Sequence, residues 1–211
     1  VVSEWASYNT PFDDYLNGNE NALTKKQVEG MKLFYGKANC SSCHSGSLLT
    51  DQKFYSIALP QFGPGRTRRF DPYTRDVGRM GESDDINDMY KFKTPSLRNI
   101  SLTAPYGHNG AYPTLKGIIK HHLNPKKMYE SWSPDKANLT PAKWLEAIDF
   151  VVFKDKREQK RLLSRIDIEK VELTDLEIDK IIEFLNALTD RNGNNRPIGR
   201  PENVPSGLSV D

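Results

Sequence analysis

Apolar residues recur at spacings of three and four positions in four segments of the chain, which predicts four amphipathic helices. These helices are predicted to begin after Thr24, Thr114, Thr140 and Thr174. A glutamine or a glutamate stands three positions after Thr24 and Thr174, which is the pattern of a capping box. Thr140 is followed by proline, which is common at the first position of a helix.

The segments between these helices lack regular apolar spacing. Residues 46–94 and 95–113 are rich in proline, glycine and polar residues, and residues 154–170 are highly charged. We interpret 154–170 as a solvated helix or a connector. Loops as long as the first two usually need an anchor or a function. The pattern therefore predicts an all-α fold class with long ordered loops, which could wrap the edge of a cofactor.

Both ends of the chain differ in composition from its middle. Residues 1–23 place isolated aromatic residues among proline, glycine, asparagine and aspartate, which favours a linker. Residues 191–211 are predicted to form an extended C-terminal tail, which leaves 24–190 as the folded domain. The chain begins with valine and carries no apolar signal-peptide core, so we expect a mature chain or a piece of a longer one.

Composition excludes two kinds of partner. The 211 residues include 30 basic and 28 acidic side chains, which leaves little net charge. No basic run is interleaved with aromatic residues, so no nucleic-acid partner is expected. No apolar stretch approaches the roughly 18 residues of a membrane helix, so no membrane span is expected.

The two cysteines of the chain lie in the sequence NCSSCHSG, as Cys40 and Cys43, and His44 follows directly. A redox dithiol, a structural zinc site and a covalent c-type haem all use closely spaced cysteines. Zinc needs four ligands, but the chain has no second C-x-x-C and no H-x-x-x-H. C-x-x-C-H is the signature of c-type haem attachment, so the motif favours haem and leaves the dithiol as an alternative. Covalent haem attachment occurs outside the bacterial cytoplasm, so haem implies an exported protein.

A haem iron has a second axial position, for which His122 is the best candidate after His44. His122 shares a predicted helix face with Leu115 and Ile118, and a buried imidazole needs partners for its nitrogens. The alternative is a core histidine bonded to a carbonyl. His121 is rotated by about 100° from this face. The other candidates considered are His108, Met80, Met89 and Met128.

His108 lies in the loop sequence PYGHNG and is predicted to lie beside the haem, for example donating to a propionate. A solvent-exposed loop residue is the alternative. Three arginines of GRTRRF could also pair with haem propionates: Arg66, Arg68 and Arg69. A solvated basic turn is the alternative for at least two of the three.

The stretches CSSCHSG, FKTPSLRNISLTAPYGHNGAYPTLKGII and VPSGLSVD resemble the bacterial di-haem cytochrome c peroxidase and MauG-like family. The segment YNTPFDDYLNGNENALT is similar to the one that joins the two haem domains of that family. The resemblance implies a cytochrome c-like domain, the C-terminal half of such a protein. It also implies one covalent haem c on Cys40 and Cys43, with His44 as the proximal ligand.

The resemblance places the distal ligand at His122, where the family carries methionine or tyrosine. Two histidine ligands would lower the reduction potential relative to histidine and methionine. The family also binds calcium between its domains, and the matching backbone carbonyls are those of Thr103 and Pro105. An asparagine of the other domain completes that site.

The function implied is that of an electron-transfer domain in a periplasmic oxidoreductase. Electrons would come from a donor cytochrome or cupredoxin and pass to a peroxide-reducing haem on a second domain or subunit. The alternatives are a stand-alone mono-haem electron carrier, a catalytic mono-haem peroxidase and a MauG-like enzyme that oxidises protein side chains.

Overall fold

Eight α-helices and one two-stranded sheet form the part of the chain that the structure describes. The structure is a computed structural model, and it describes residues 9–63, 75–137, 139, 143 and 148–192. The helices are α1 (Pro11–Leu16), α2 (Lys25–Tyr35), α3 (Met80–Ser83), α4 (Leu115–Leu123), α5 (Pro125–Glu130), α6 (Val151–Lys154), α7 (Lys156–Leu163) and α8 (Asp175–Asn186). Strands β1 (Phe54–Tyr55) and β2 (Phe92–Lys93) pair antiparallel, with Phe54 opposite Lys93. The strands are two residues each, so the prediction of an all-α fold class is confirmed.

The predicted helix starts at Thr24, Thr114 and Thr174 are confirmed. In each case the threonine hydroxyl accepts a hydrogen bond from the backbone N–H three residues later. At Thr24 and Thr174 the side chain of that later residue also accepts from the threonine N–H, which completes the capping box. Thr140 lies outside the described residues. No described helix is long and apolar enough to cross a membrane.

Helices α2 and α8 pack closely at Gly30, and their contact forms the centre of the largest apolar cluster. A Cβ atom at Gly30 would lie 1.9 Å from the backbone oxygen of Lys180, so only glycine permits this approach. The fully buried rings of Phe34 and Phe184 meet beside it, with centroids 5.2 Å apart. Leu115 and Ile119 of α4 pack against the same cluster.

Within the predicted linker, residues 11–16 form the helix α1 and not an irregular segment, whereas the role of residues 1–23 as a linker stays a prediction. Thr10 and Asp13 make a capping box and Pro11 occupies the first helical position, so local sequence signals do begin this helix. Phe12 is buried and packs edge-on against Phe184, with ring centroids 5.1 Å apart. Helix α1 is therefore docked on α8. Residues 1–8 and 193–211, which include most of the predicted tail, lie outside the described residues.

The irregular segment 46–94 and the charged segment 154–170 contain short helices and strands. The described residues of segment 46–94 include β1, α3, β2 and a 3₁₀ turn at Ile86–Asp88. The charged segment 154–170 contains α7, whose Leu162 is buried. Helix α5 was not predicted, although Asn124 caps it and Pro125 occupies its first position.

Candidate haem-binding site

The C-x-x-C-H motif folds as a tight turn directly after α2. Asn39 begins it in the left-handed region, at φ 53°, which asparagine tolerates better than most residues. Cys40–Ser42 form a 3₁₀ turn, and the N–H of His44 donates to the Cys40 carbonyl at 2.9 Å. Both cysteines are half-buried free thiols. The turn thus brings two thiols and one imidazole together on a few residues of backbone, as covalent haem attachment requires.

The surroundings of the thiols favour neither a redox dithiol nor a structural zinc site. Burial raises the pKa of Cys40 to about 12, whereas redox-active dithiols have a thiolate stabilised at low pKa. No group of three His, Cys, Asp or Glu side chains that could hold a metal ion occurs among the described residues. A structural zinc site, which needs four protein ligands, therefore finds no support in that part of the chain.

His44 is held as a neutral imidazole that can bind a metal through Nε2. Burial and the neighbouring His122 lower the pKa of His44 to about 4. Nδ1 lies 3.1 Å from the carbonyl oxygen of Leu49, and a carbonyl only accepts, so the proton is on Nδ1. Metal-bound histidines commonly donate their second N–H to a carbonyl in this way.

His122, near the end of α4, lies beside His44. The two ring centroids are 6.5 Å apart, with 61° between the ring planes. Metal–imidazole bonds of about 2.0–2.1 Å, as measured for zinc, put the centres of two imidazoles on opposite sides of one ion roughly 6 Å apart. Nδ1 of His122 donates to the Ile118 carbonyl at 2.9 Å, so Nε2 is again the nitrogen left to bind a metal. His44 and His122 are therefore the side chains that would hold a haem iron, each through Nε2.

His122 is exposed to solvent on one side and surrounded by protein on the others. Its side chain is accessible to solvent, yet burial lowers its pKa. Both statements hold when protein surrounds a side chain on most sides and one edge faces open space. Such a position combines a neutral imidazole with access for a bound group.

His121 is the core histidine of α4. Its side chain is completely buried, and Nε2 donates to the Ile57 carbonyl at 2.6 Å. Burial lowers the pKa of His121 to about 4, so the ring is neutral and the Tyr112 hydroxyl donates to Nδ1 at 2.8 Å. Both nitrogens are used, so His121 has none left for a metal. The prediction that His122 lies on the buried face of the helix is wrong, because His121 is the buried histidine and His122 is exposed.

His108 finds a partner that the sequence did not indicate. Its Nε2 lies 2.8 Å from Oδ2 of Asp76, and its half-exposed ring packs on Phe92 with centroids 4.0 Å apart. Its predicted role beside a haem propionate stays a prediction. The three arginines of GRTRRF lie outside the described residues.

The predicted calcium ligands Thr103 and Pro105 lie on one exposed stretch after the 3₁₀ turn Ile100–Leu102. Their role stays a prediction. The methionines considered as axial ligands lie elsewhere: Met128 packs in the cluster around Trp132, and Met89 packs in the cluster around Tyr90. Met80 begins α3.

Sequence reasoning missed two side chains beside the cysteine turn. The Tyr55 hydroxyl donates to Oδ2 of Asp51 at 2.7 Å, and the Asp51 N–H donates to the Cys43 carbonyl at 2.8 Å. Hydrogen bonding to Asp51 and then to Cys43 raises the pKa of Tyr55. Both residues belong to the segment without periodicity, so no pattern in the sequence marked them.

The chain is similar to several known proteins. It is 39% identical over 138 residues to cytochrome-c peroxidase IdrP1 of a Pseudomonas species, an alignment that covers 56% of this chain and 36% of that protein. It is 40% identical over 112 residues to cytochrome c peroxidase Ccp of Escherichia coli, covering 53% and 23%. It is 34% identical over 147 residues to the methylamine utilization protein MauG of Methylophilus methylotrophus, covering 68% and 40%. The chain therefore spans well under half the length of these relatives.

Solved structures give the same picture. A MauG-like protein associated with microbial copper homeostasis matches 90% of this chain and 55% of its own, with a TM-score of 0.59 and 28% identity. The diheme peroxidase BthA of Burkholderia thailandensis matches 99% of this chain and 52% of its own, with a TM-score of 0.57. At 20% identity, this second match is a likeness of fold. No family model matches the chain.

The helical fold and the C-x-x-C-H turn, with two neutral imidazoles whose ring centroids lie 6.5 Å apart, are those expected of a c-type haem protein. Homologues at 34–40% identity over about half of the chain are cytochrome-c peroxidases and MauG, which confirms the resemblance found in the sequence. These relatives are oxidoreductases that contain haem, so they support haem as the cofactor of this chain.

Proposed function

We propose that this chain is the electron-transfer c-type haem domain of a di-haem peroxidase-type oxidoreductase. Its length supports a one-haem half, because it covers 55% of the MauG-like structure and 52% of the diheme peroxidase structure. The sequence contains one C-x-x-C-H motif and no further cysteine. We therefore place one haem c here and a second haem on another domain or subunit.

The observation that carries this proposal is the 6.5 Å separation of the His44 and His122 rings. Cys40 and Cys43 would hold the haem, and the two imidazoles would fill both axial positions. When bound, haem supplies a reversible one-electron couple. Two imidazole ligands leave no open position for peroxide, so this half would pass electrons while peroxide is reduced elsewhere. Two histidines would also set a lower potential than histidine with methionine.

The proposal includes partners and a compartment. An electron-donor cytochrome or cupredoxin would reduce this haem, and the second haem domain would accept the electron. We place the protein in the periplasm, because covalent haem attachment takes place after export. The carbonyls of Thr103 and Pro105 are suited to calcium, which prefers oxygen ligands, and they would form part of a shared site with the other domain.

One structural observation favours a second candidate, the stand-alone mono-haem electron carrier. Residues 11–16 form α1 and bury Phe12 against Phe184 instead of forming a coil. Much of the presumed linker is therefore part of the folded body, which an independent carrier would also contain. A preparation that contains both haems separates the two candidates. Electron transfer from this haem to the second haem supports the di-haem enzyme, and its absence supports the stand-alone carrier.

Spectroscopy of the haem-loaded chain tests the axial ligands. We expect a low-spin signal of a bis-histidine haem in both redox states, and no reaction of the chain alone with hydrogen peroxide. Intact mass should show one covalently attached haem. His122→Ala is the matched variant, in which we expect a high-spin haem that binds external ligands. A high-spin wild-type chain, or peroxide turnover by it, would overturn the proposal.

A further inference from the structure

Helix α4 carries two adjacent histidines, and only one of them can face His44. Successive residues of an α-helix are about 100° apart around the axis, so His121 and His122 point in different directions. As ligands they are chemically equivalent. The rotation of α4 about its own axis therefore decides which imidazole lies opposite His44.

The ring of His121 fixes that rotation by joining α4 to two other segments. Nε2 donates to the carbonyl of Ile57, which is 64 residues away in the chain. Nδ1 accepts from the hydroxyl of Tyr112, nine residues away. The two bonds leave the ring from different nitrogens, so they hold it from two sides. Rotating α4 would break both and leave a buried hydroxyl without a partner, which is unfavourable.

Tyr112 is itself held rigidly against the helix. Its side chain is buried, and its backbone exchanges two hydrogen bonds with Tyr106, at 2.7 and 3.0 Å. A Cβ atom at Gly117 would lie 3.0 Å from Cδ1 of Tyr112, so the tyrosine ring lies directly on the surface of α4. The group that bonds His121 is therefore fixed with respect to the helix that it orients.

We infer that His121 is a positioning residue for the haem site, and that its hydrogen bonds to Tyr112 and Ile57 present His122 to the space opposite His44. This inference rests on the proposed function, because it assumes that His122 binds the iron. It adds that a residue with no contact to the iron selects the ligand. Loosening His121 would let His122 leave the iron more often, without changing any ligand.

The test compares four haem-loaded variants with the wild-type chain by electron paramagnetic resonance and by the affinity of the ferric haem for cyanide, which competes with His122. Tyr112→Phe removes one hydrogen bond and keeps the ring packing. His121→Leu removes both bonds, and His121→Gln restores a donor that can reach Ile57. Tyr106→Phe is the matched control, since its hydroxyl donates to the Ile100 carbonyl and makes no bond to His121.

We expect Tyr112→Phe to raise the cyanide affinity roughly fivefold, the effect of losing one net hydrogen bond. His121→Leu should raise it further and lose much of the low-spin signal, and His121→Gln should recover part of that signal. Tyr106→Phe should match the wild type. Haem content and thermal unfolding identify any variant that fails to fold. If the His121 variants fail, the cyanide affinity of Tyr112→Phe, the mildest change, decides whether His121 positions His122.

The outcomes distinguish the inference from the proposed function. A wild-type chain without a bis-histidine signal would overturn both. A wild-type chain with that signal, together with Tyr112→Phe indistinguishable from Tyr106→Phe, would overturn the positioning role alone.

Discussion

Arg98 and Asp13 form a bidentate ion pair that ties α1 to the loop after β2. The two terminal nitrogens of Arg98 donate to the two carboxylate oxygens of Asp13 at 2.8 and 2.9 Å. The side chains are only 10% and 14% exposed, so water weakens this pair less than it weakens a surface pair. Asp13 is also the capping-box residue of α1, so one carboxylate both begins the helix and docks it.

Asp13→Ala should lower the free energy of unfolding by about 1.5–3 kcal/mol, the usual contribution of hydrogen bonds to a charged group. The neighbouring Asp14→Ala is the matched control. Asp14 pairs with Arg191 at 2.7 Å, but both side chains are more than 40% exposed. Its loss should cost no more than about 1 kcal/mol. Denaturant unfolding measures both, and equal losses would show that the Arg98 pair has no special role.

The same pair predicts a pH dependence. Burial would raise the pKa of Asp13, but hydrogen bonds from Arg98 and Thr10 and the charge of Arg98 outweigh it and lower that pKa below 3.8. A carboxylate whose pKa is lower in the folded state stabilises that state at every pH above its pKa in the unfolded chain. This stabilisation is lost as the pH falls through its pKa in the folded protein. The difference in Tm between the wild type and Asp13→Asn should therefore be constant near neutral pH and shrink below 3.8. A constant difference down to pH 2 or so would contradict the assignment.

Gly30→Ala should destabilise the chain by about 3 kcal/mol, at the upper end of the cost of overpacking. The added methyl group would meet the Lys180 carbonyl, which belongs to the α8 backbone and cannot move aside alone. Gly81→Ala is the control, because a Cβ atom there meets only a Val77 methyl at 3.7 Å. Gly81→Ala should change stability by less than about 1 kcal/mol, since alanine is the better helix former. Thermal unfolding of both variants checks this prediction.

His122→Met should raise the reduction potential of the haem, because methionine as an axial ligand favours the reduced iron more than histidine does. Redox titration with optical detection measures the shift. Lys170→Met is the control, since Lys170 is an exposed residue that pairs with Glu172 and has no part in the proposed site. An unchanged potential in His122→Met would mean that His122 is not an axial ligand.

Local sequence signals predicted much of the framework. The capping threonines Thr24, Thr114 and Thr174 begin helices as expected, because a cap is satisfied by residues three positions away. The same kind of signal was present at Thr10 and was obscured by the turn-forming composition around it. That Phe12 reaches Phe184 depends on the fold and could not be predicted from neighbouring residues.

The sequence by itself brought the two thiols and the imidazole of the C-x-x-C-H turn together. Cys40, Cys43 and His44 lie within five positions of the chain, so they are close in space in any fold. The sequence also placed two histidines at the end of one helix. Periodicity favoured His122 over His121, but only the tertiary structure places the His122 ring 6.5 Å from that of His44 and buries His121. A rotation of about 100° exchanges them. That rotation is set by the bonds of His121 to Tyr112 and to Ile57, which no local pattern connects.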